Sequence, residues 1–281
     1  MRILISSDST CDLSKSYVEE HNISILPLCV IKDGQSYRDG VDIIPQDIFS
    51  HVAAGGSMCT TAANNVDDYL THFREKRKEY DAIIHINISA EFSSCYQNAC
   101  IAAEEVENVY VVDSRNLSTG HGLVVCEAVK LVEEGKLSPA EIAESLRELT
   151  GRVEASFILD QLEYLRKGGR CSALAALGAN LLKLKPCIEV KDGKMGVGKK
   201  YRGKFDKCVL EYIKERLDNR DDLCYDRIFI TMTTLPEQLK KDIRALVESY
   251  PFEIIDETTA GCTVSCHCGP DTIGVLFVRS K

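Results

Sequence analysis

The feature that most restricts how this chain folds is an alternation, along its first half, of short β-branched apolar runs with stretches of helical periodicity. Residues 2–6, 82–89 and 109–113 are apolar enough for buried strands. Each is followed by apolar positions spaced three and four apart, as on one face of a helix. Helices are predicted over 13–20, 45–53, 66–80, 93–107, 119–134 and 139–150. The last opens with Ser138-Pro139-Ala140-Glu141, a capping box with proline in the first turn. Strand–helix–strand order of this kind gives a mostly parallel sheet with helices on both faces.

Near Gly151 the pattern changes. A strand is predicted over 155–159, a helix over 162–167, a small-residue helix over 173–182 and a hairpin turning at Asp192-Gly193. A helix over 204–217, a strand over 227–232, a helix over 236–250 and strands over 252–256 and 273–278 follow. This half reads as α+β, antiparallel or mixed. At roughly 150 residues per domain, the expectation is an N-terminal α/β domain over 1–150 and a C-terminal α+β domain over 151–281.

The net charge of −9 has the wrong sign for a protein that coats nucleic acid. Thirteen cysteines, scattered without regular spacing, read as reduced thiols rather than a disulfide framework. The N-terminal apolar stretch, Ile3-Leu4-Ile5, is too short for a signal segment, and no run is long enough to span a membrane. A cytoplasmic protein is expected.

In open α/β sheets ligands bind beyond the carboxyl ends of strands. Asp8-Ser9-Thr10-Cys11-Asp12, Ser93-Ser94 and Asp113-Ser114 all stand at such ends. Each alone serves equally well as a helix cap; their recurrence is what marks a site. The run from Gly193 to Lys200 nearly matches a phosphate-binding loop, but it closes on Lys200 where a hydroxyl is needed and lies in a hairpin, so no nucleotide is expected there. Cys266-His267-Cys268, read as extended, turns His267 away from both sulfurs, so no metal is expected. Nucleophilic catalysis by Ser93 or a cysteine with His267 has its residue types present, but no G-x-S-x-G elbow occurs. From Arg166 to Lys207 twelve basic residues face three acidic ones. Such segregation suits a face that meets an anionic partner, or a solvated hairpin and helix surface.

Taken in order, Asp8 to Asp12, Thr60-Thr61, Phe92-Ser93-Ser94-Cys95-Tyr96-Gln97, Asp113-Ser114, the run from Leu162 to Arg170, Lys185-Pro186, Arg202-Gly203 and His267-Cys268-Gly269-Pro270 resemble the DegV family. The resemblance implies a lipid carrier without catalytic residues or cofactor that encloses one long-chain fatty acid, carboxylate between the domains and acyl chain in the C-terminal one. It further implies a partner, an ATP-dependent fatty acid kinase subunit, that makes the acyl phosphate for phospholipid synthesis. By motif position Thr61, Ser93 and His267 match the carboxylate-binding residues. Arg170 and Arg202 match positions facing phosphate and partner. Thr60, Ser94, Phe157 and Leu159 are further pocket candidates, with the stretch over 173–182 as wall. The chain departs from the family at Ala62-Ala63-Asn64, at Ser94-Cys95 and at Cys266, Cys268 and Asp271, which places cysteines around the head group.

Burying a C16–C18 tail removes about 15 methylenes from water at roughly 0.8 kcal/mol each, about 12 kcal/mol before the costs of ordering and immobilisation. The carboxylate then needs donors, because an unpaired buried charge is very costly. Hydroxyls near a helix start, together with neutral His267, supply them while leaving an oxygen lone pair free to attack phosphorus, which a bidentate arginine would occupy.

Overall fold

The computed structural model describes residues 1–175 and 184–280. Its strands are β1 (Ile3–Asp8), β2 (Ser24–Leu26), β3 (Cys29–Lys32), β4 (Gln35–Arg38), β5 (Thr60–Ala62), β6 (Ala82–Asn87) and β7 (Val109–Asp113). After them come β8 (Val153–Leu159), β9 (Leu184–Lys191), β10 (Lys194–Arg202), β11 (Leu223–Met232), β12 (Ile254–Thr259) and β13 (Thr272–Arg279). The helices of the first half are α1 (Lys15–Glu20), α2 (Pro45–Ala53), α3 (Val66–Lys76), α4 (Cys95–Glu104), α5 (Ser118–Glu134) and α6 (Pro139–Thr150). Those of the second are α7 (Glu163–Gly168), α8 (Ser172–Ala175), α9 (Phe205–Leu217), α10 (Glu237–Val247) and α11 (Cys262–Cys268).

The chain is an α/β protein. Its first sheet has the order β2-β1-β6-β7 and is wholly parallel, with Ile5 opposite Ile84 and Ile84 opposite Tyr110. β6 is buried along its whole length, as a strand covered on both faces must be. The second sheet, β10-β9-β8-β13-β11-β12, is mixed: only β11 and β12 run parallel. Between β9 and β10 the turn residues Asp192 and Gly193 both take positive φ, the tight hairpin turn that Asp-Gly favours, so the run that starts at Gly193 continues from Lys194 to Lys200 as a strand.

Helix α5 is buried along its first three turns and packs against β1 and β6 on one side and β8, β11 and β13 on the other. One hydrophobic cluster therefore runs unbroken through both sheets, from Leu4, Ile84 and Val125 to Ala155, Phe229 and Leu276. A second cluster, around Tyr212, Ile230 and Phe277, lies under α9 and α10. Among the described residues no helix is long and apolar enough to cross a membrane.

Several expectations need correction. A third, antiparallel sheet, β4-β3-β5, has no sequence forecast, because its strands are only three or four residues long and β4 and β5 are mostly polar. The strand expected over 252–256 begins two residues later, as β12. Residues 266–268 are not extended but form the last turn of α11; at 100° per residue their side chains still diverge, so the three do not converge on one point. Of the helix expected over 173–182, residues up to 175 belong to α8 and the rest lies outside the described residues.

Candidate functional site

Three segments from distant parts of the sequence meet around one cavity of about 170 Å³, lined among others by Thr61, Phe92, Ser93, Ser94, Arg170 and His267. β5 supplies Thr61. The strand alternates, so Cys59 and Thr61 turn inward and Thr60 is exposed and does not line this cavity. The turn before α4 supplies the two serines. Ser93 precedes the cap residue Ser94, takes the Cys95 N–H at 3.3 Å and donates its own hydroxyl to Cys95 Sγ at 3.1 Å, a weak acceptor. Helix α11 supplies His267. Its stop is sharp: Gly269 takes φ +75°, where a Cβ would stand 2.6 Å from the Tyr164 ring, and Pro270 follows.

His267 Nε2 lies 2.9 Å from Thr61 Oγ1, which joins β5 to α11 across 206 residues of sequence. Its Nδ1 is buried without a partner, against Gly168, where any Cβ would collide with it. A buried N–H left unpaired costs more than a spare lone pair, so hydrogen-bond accounting places the proton on Nε2. His267 then donates to Thr61, and the Thr61 hydroxyl proton turns to the cavity. Burial, and secondarily the Arg170 guanidinium, push the His267 pKa down to about 4, so the ring is neutral at physiological pH. Arg170 is held at the rim by the backbone carbonyls of Gly168 (2.8 Å) and Phe92 (3.5 Å).

A second, narrower cavity of about 30 Å³ lies on the face of the six-stranded sheet, and Leu117, Val264 and Cys268 line both. Phe157, Met232 and Leu276 are among its walls. Its hydroxyls are all engaged elsewhere: Ser118 with Asp12, Ser156 with Tyr212, Thr231 with Thr119 and Thr258, Thr233 with the Thr272 N–H, and Thr272 with the Cys268 carbonyl. What remains facing inward is hydrocarbon. Leu159 lines neither cavity; it is fully buried in the main cluster at the end of β8. Arg202 is exposed on β10, away from both.

The nucleophile reading loses its geometry here. His267 bonds Thr61 rather than Ser93, and Ser93 faces a sulfur. Burial pushes the thiols of Cys95 and Cys268 up to about 11 and about 12, so neither is a thiolate at neutral pH. The strand-end carboxylates are scaffolding. Asp8 takes the Ile88 N–H at 2.8 Å and the Thr10 hydroxyl at 2.5 Å, and Asp113 takes the N–H groups of Arg115 (2.8 Å) and Ala90 (3.3 Å), so both shape the loops beside Ser93. Sequence reasoning missed Leu28, Leu117, Met195 and Val264 as cavity walls; each looks like any other core residue until the fold gathers them.

A parallel sheet joined to a mixed one, with a hydroxyl–imidazole pair beside an apolar chamber, defines the class: an α/β protein with a polar cavity opening toward a hydrocarbon-faced one. The chain belongs to the DegV family, described as a family of uncharacterised proteins, whose model matches residues 2–280. A DegV domain-containing protein of Clostridium acetobutylicum is 35% identical over 285 residues, covering 99% of each chain. The structure resembles that of a DegV family protein from Thermus thermophilus described as binding fatty acid, with TM-score 0.89, 29% identity and coverage of 99% and 100% of the two chains. It also resembles a stearic acid-binding protein from Eubacterium ventriosum, with TM-score 0.84, 29% identity and 98% coverage of each.

Proposed function

We propose that this protein is a cytoplasmic carrier that binds one long-chain fatty acid and presents its carboxylate to a separate ATP-dependent kinase. The observation that carries the reading is the pairing of hydroxyls without a strong acceptor at one cavity with a hydrocarbon-faced chamber beyond Leu117, Val264 and Cys268. In this reading Thr61, its oxygen occupied by His267, gives its proton to one carboxylate oxygen, and Ser93 exchanges its sulfur acceptor for the other. The donors are neutral, so the carboxylate keeps a lone pair for attack on phosphorus. Arg170, on the rim, offsets the charge of the carboxylate and of the acyl phosphate that follows.

The tail lies along the six-stranded sheet, within the C-terminal unit over 151–281, with the head group against the N-terminal unit over 1–150. The chamber has room for about one water as it stands, so loading a C16–C18 tail spreads side chains such as Met232 and Leu276. Partner contact falls to the basic segment. Lys167, Lys185, Lys191, Lys194 and Lys199 are in ion pairs, whereas Arg202, Lys200, Lys204 and Lys207 form none among the described residues and stay available to an anionic surface.

The test is palmitate affinity of Thr61→Ala with Ser93→Ala. Losing two hydrogen bonds to a charged group weakens binding by about a hundredfold. Unchanged affinity would remove these residues from the head-group site.

A further inference from the structure

We infer that Asp39 and Asp12 are positioning residues for the head-group pocket: from two segments of the first half of the chain they grip the N-terminus of α11 and so fix where His267 stands. The inference rests on the fatty-acid reading of that pocket.

Helix α11 is seven residues long, too short to hold its shape without outside contacts. Its leading N–H groups go to two carboxylates. Gly261 N–H donates to Asp12 Oδ1 at 2.9 Å, Cys262 N–H to Asp39 Oδ1 at 2.8 Å and Thr263 N–H to Asp39 Oδ2 at 3.0 Å. Both carboxyls are buried, and both reach further into the site. Asp39 Oδ2 also takes the Ser9 hydroxyl at 3.0 Å, and Ser9 Oγ takes the N–H of Leu28, a wall of the head-group cavity, at 3.1 Å. Asp12 Oδ2 stands 2.5 Å from Ser118 Oγ, where α5 begins. Gly261 is what permits the close approach, since a Cβ there would lie 2.8 Å from Asp12 Oδ1.

The two carboxyls are not equivalent. Both oxygens of Asp39 meet donors, which suits an anionic carboxylate with acceptors only. Asp12 Oδ2 meets a hydroxyl, which accepts as readily as it donates. Burial first, then Asp39 and Asp8, push the Asp12 pKa up to about 8 against the bonds from Ser118 and Gly261. Asp12 therefore keeps its proton at neutral pH, while the donors on both oxygens of Asp39 suit a carboxylate.

Single asparagine variants separate these roles. Asp39→Asn sets an amide N–H₂ against a donor, so palmitate affinity falls by about tenfold or more. In spectra of ring-labelled histidine, His267, assigned by its loss in His267→Gln, then titrates toward the free value near 6.5 instead of near 4. Asp12→Asn mimics a protonated carboxyl and costs about threefold or less. Leu217→Ala, in the remote cluster under α9, lowers thermal stability and moves neither readout. If Asp39→Asn does not fold, Gly261→Ala carries the same test. The clamp is refuted if His267 still titrates near 4 in Asp39→Asn, and the assigned proton if Asp12→Asn is as damaging as Asp39→Asn. A wild-type chain that binds no palmitate would sink the fatty-acid reading while leaving the His267 titration to judge the clamp.

Discussion

In the proposed head-group site Thr61 and His267 divide the work: the imidazole fixes the direction of the hydroxyl, and the hydroxyl would reach the carboxylate. That division predicts different losses at the two positions. Thr61→Val removes the donor itself and weakens palmitate binding by about tenfold. His267→Gln offers a side-chain N–H in place of Nε2–H and retains affinity within about threefold. Equal losses in a titration calorimeter would argue against the assigned proton. Because burial holds the imidazole neutral down to about pH 4, binding shows no inflection near 6.5. In the sequence Ser93 is marked by its place at a strand end and His267 as a base that could serve it, whereas Thr61 is singled out only by an ordered set of motifs. Nothing in their spacing brings residues 61 and 267 together; β5 and α11 do that.

At the scale of elements, the smaller chamber is walled by β8, β9, β11 and β13, and in the proposed reading the two ends of the fatty acid are served by different sheets. Ala155 sits on β8 with its methyl in the chamber wall. Ala155→Leu adds three carbons to a space of about one water, so it excludes a C16–C18 acid while a C8 acid, which ends nearer the neck, keeps its affinity. Equal loss for both lengths would place the tail elsewhere. The helices and strands around this chamber were largely readable, because their apolar periodicity is strong: the capping box at Ser138 and Glu141 forms as read, with Glu141 Oε2 2.8 Å from the Ser138 N–H. The small sheet β4-β3-β5 and helix α11 were not. Both are short, and tertiary contacts hold them: Val30, Ile48, Cys59, Cys262 and Cys266 form a cluster of their own.

At the scale of the whole molecule, buried titratable groups set the pH response. Burial pushes His267 and His72 down to about 4, and lowers His85 and His121 as well. As pH falls from 6.5 toward 4 the unfolded chain takes up protons that these native rings refuse, so stability falls; His267 alone accounts for about 3 kcal/mol of that loss. Asp12 acts the other way. Its native carboxyl holds a proton up to about pH 8, so native stability falls as pH rises through that range. The histidines prevail below 6.5 and Asp12 above it. Thermal unfolding between pH 4.5 and 8.5 is expected to show a maximum near pH 6.5, and a steady rise to pH 8.5 would contradict this balance. The exposed arginine on β10 belongs to the same scale: if the proposed kinase docks there, Arg202→Glu is expected to slow acyl phosphate formation while the lipid stays bound. Loss of the lipid would place Arg202 in the pocket.

The most direct test of the account is native mass spectrometry of the protein purified from its cells, followed by solvent extraction of whatever is bound. One long-chain fatty acid per chain, retained in the intact protein and lost from a Thr61→Ala, Ser93→Ala, Ala155→Leu variant, is the predicted result. A bare chain that takes up no palmitate when offered it would contradict the central claim.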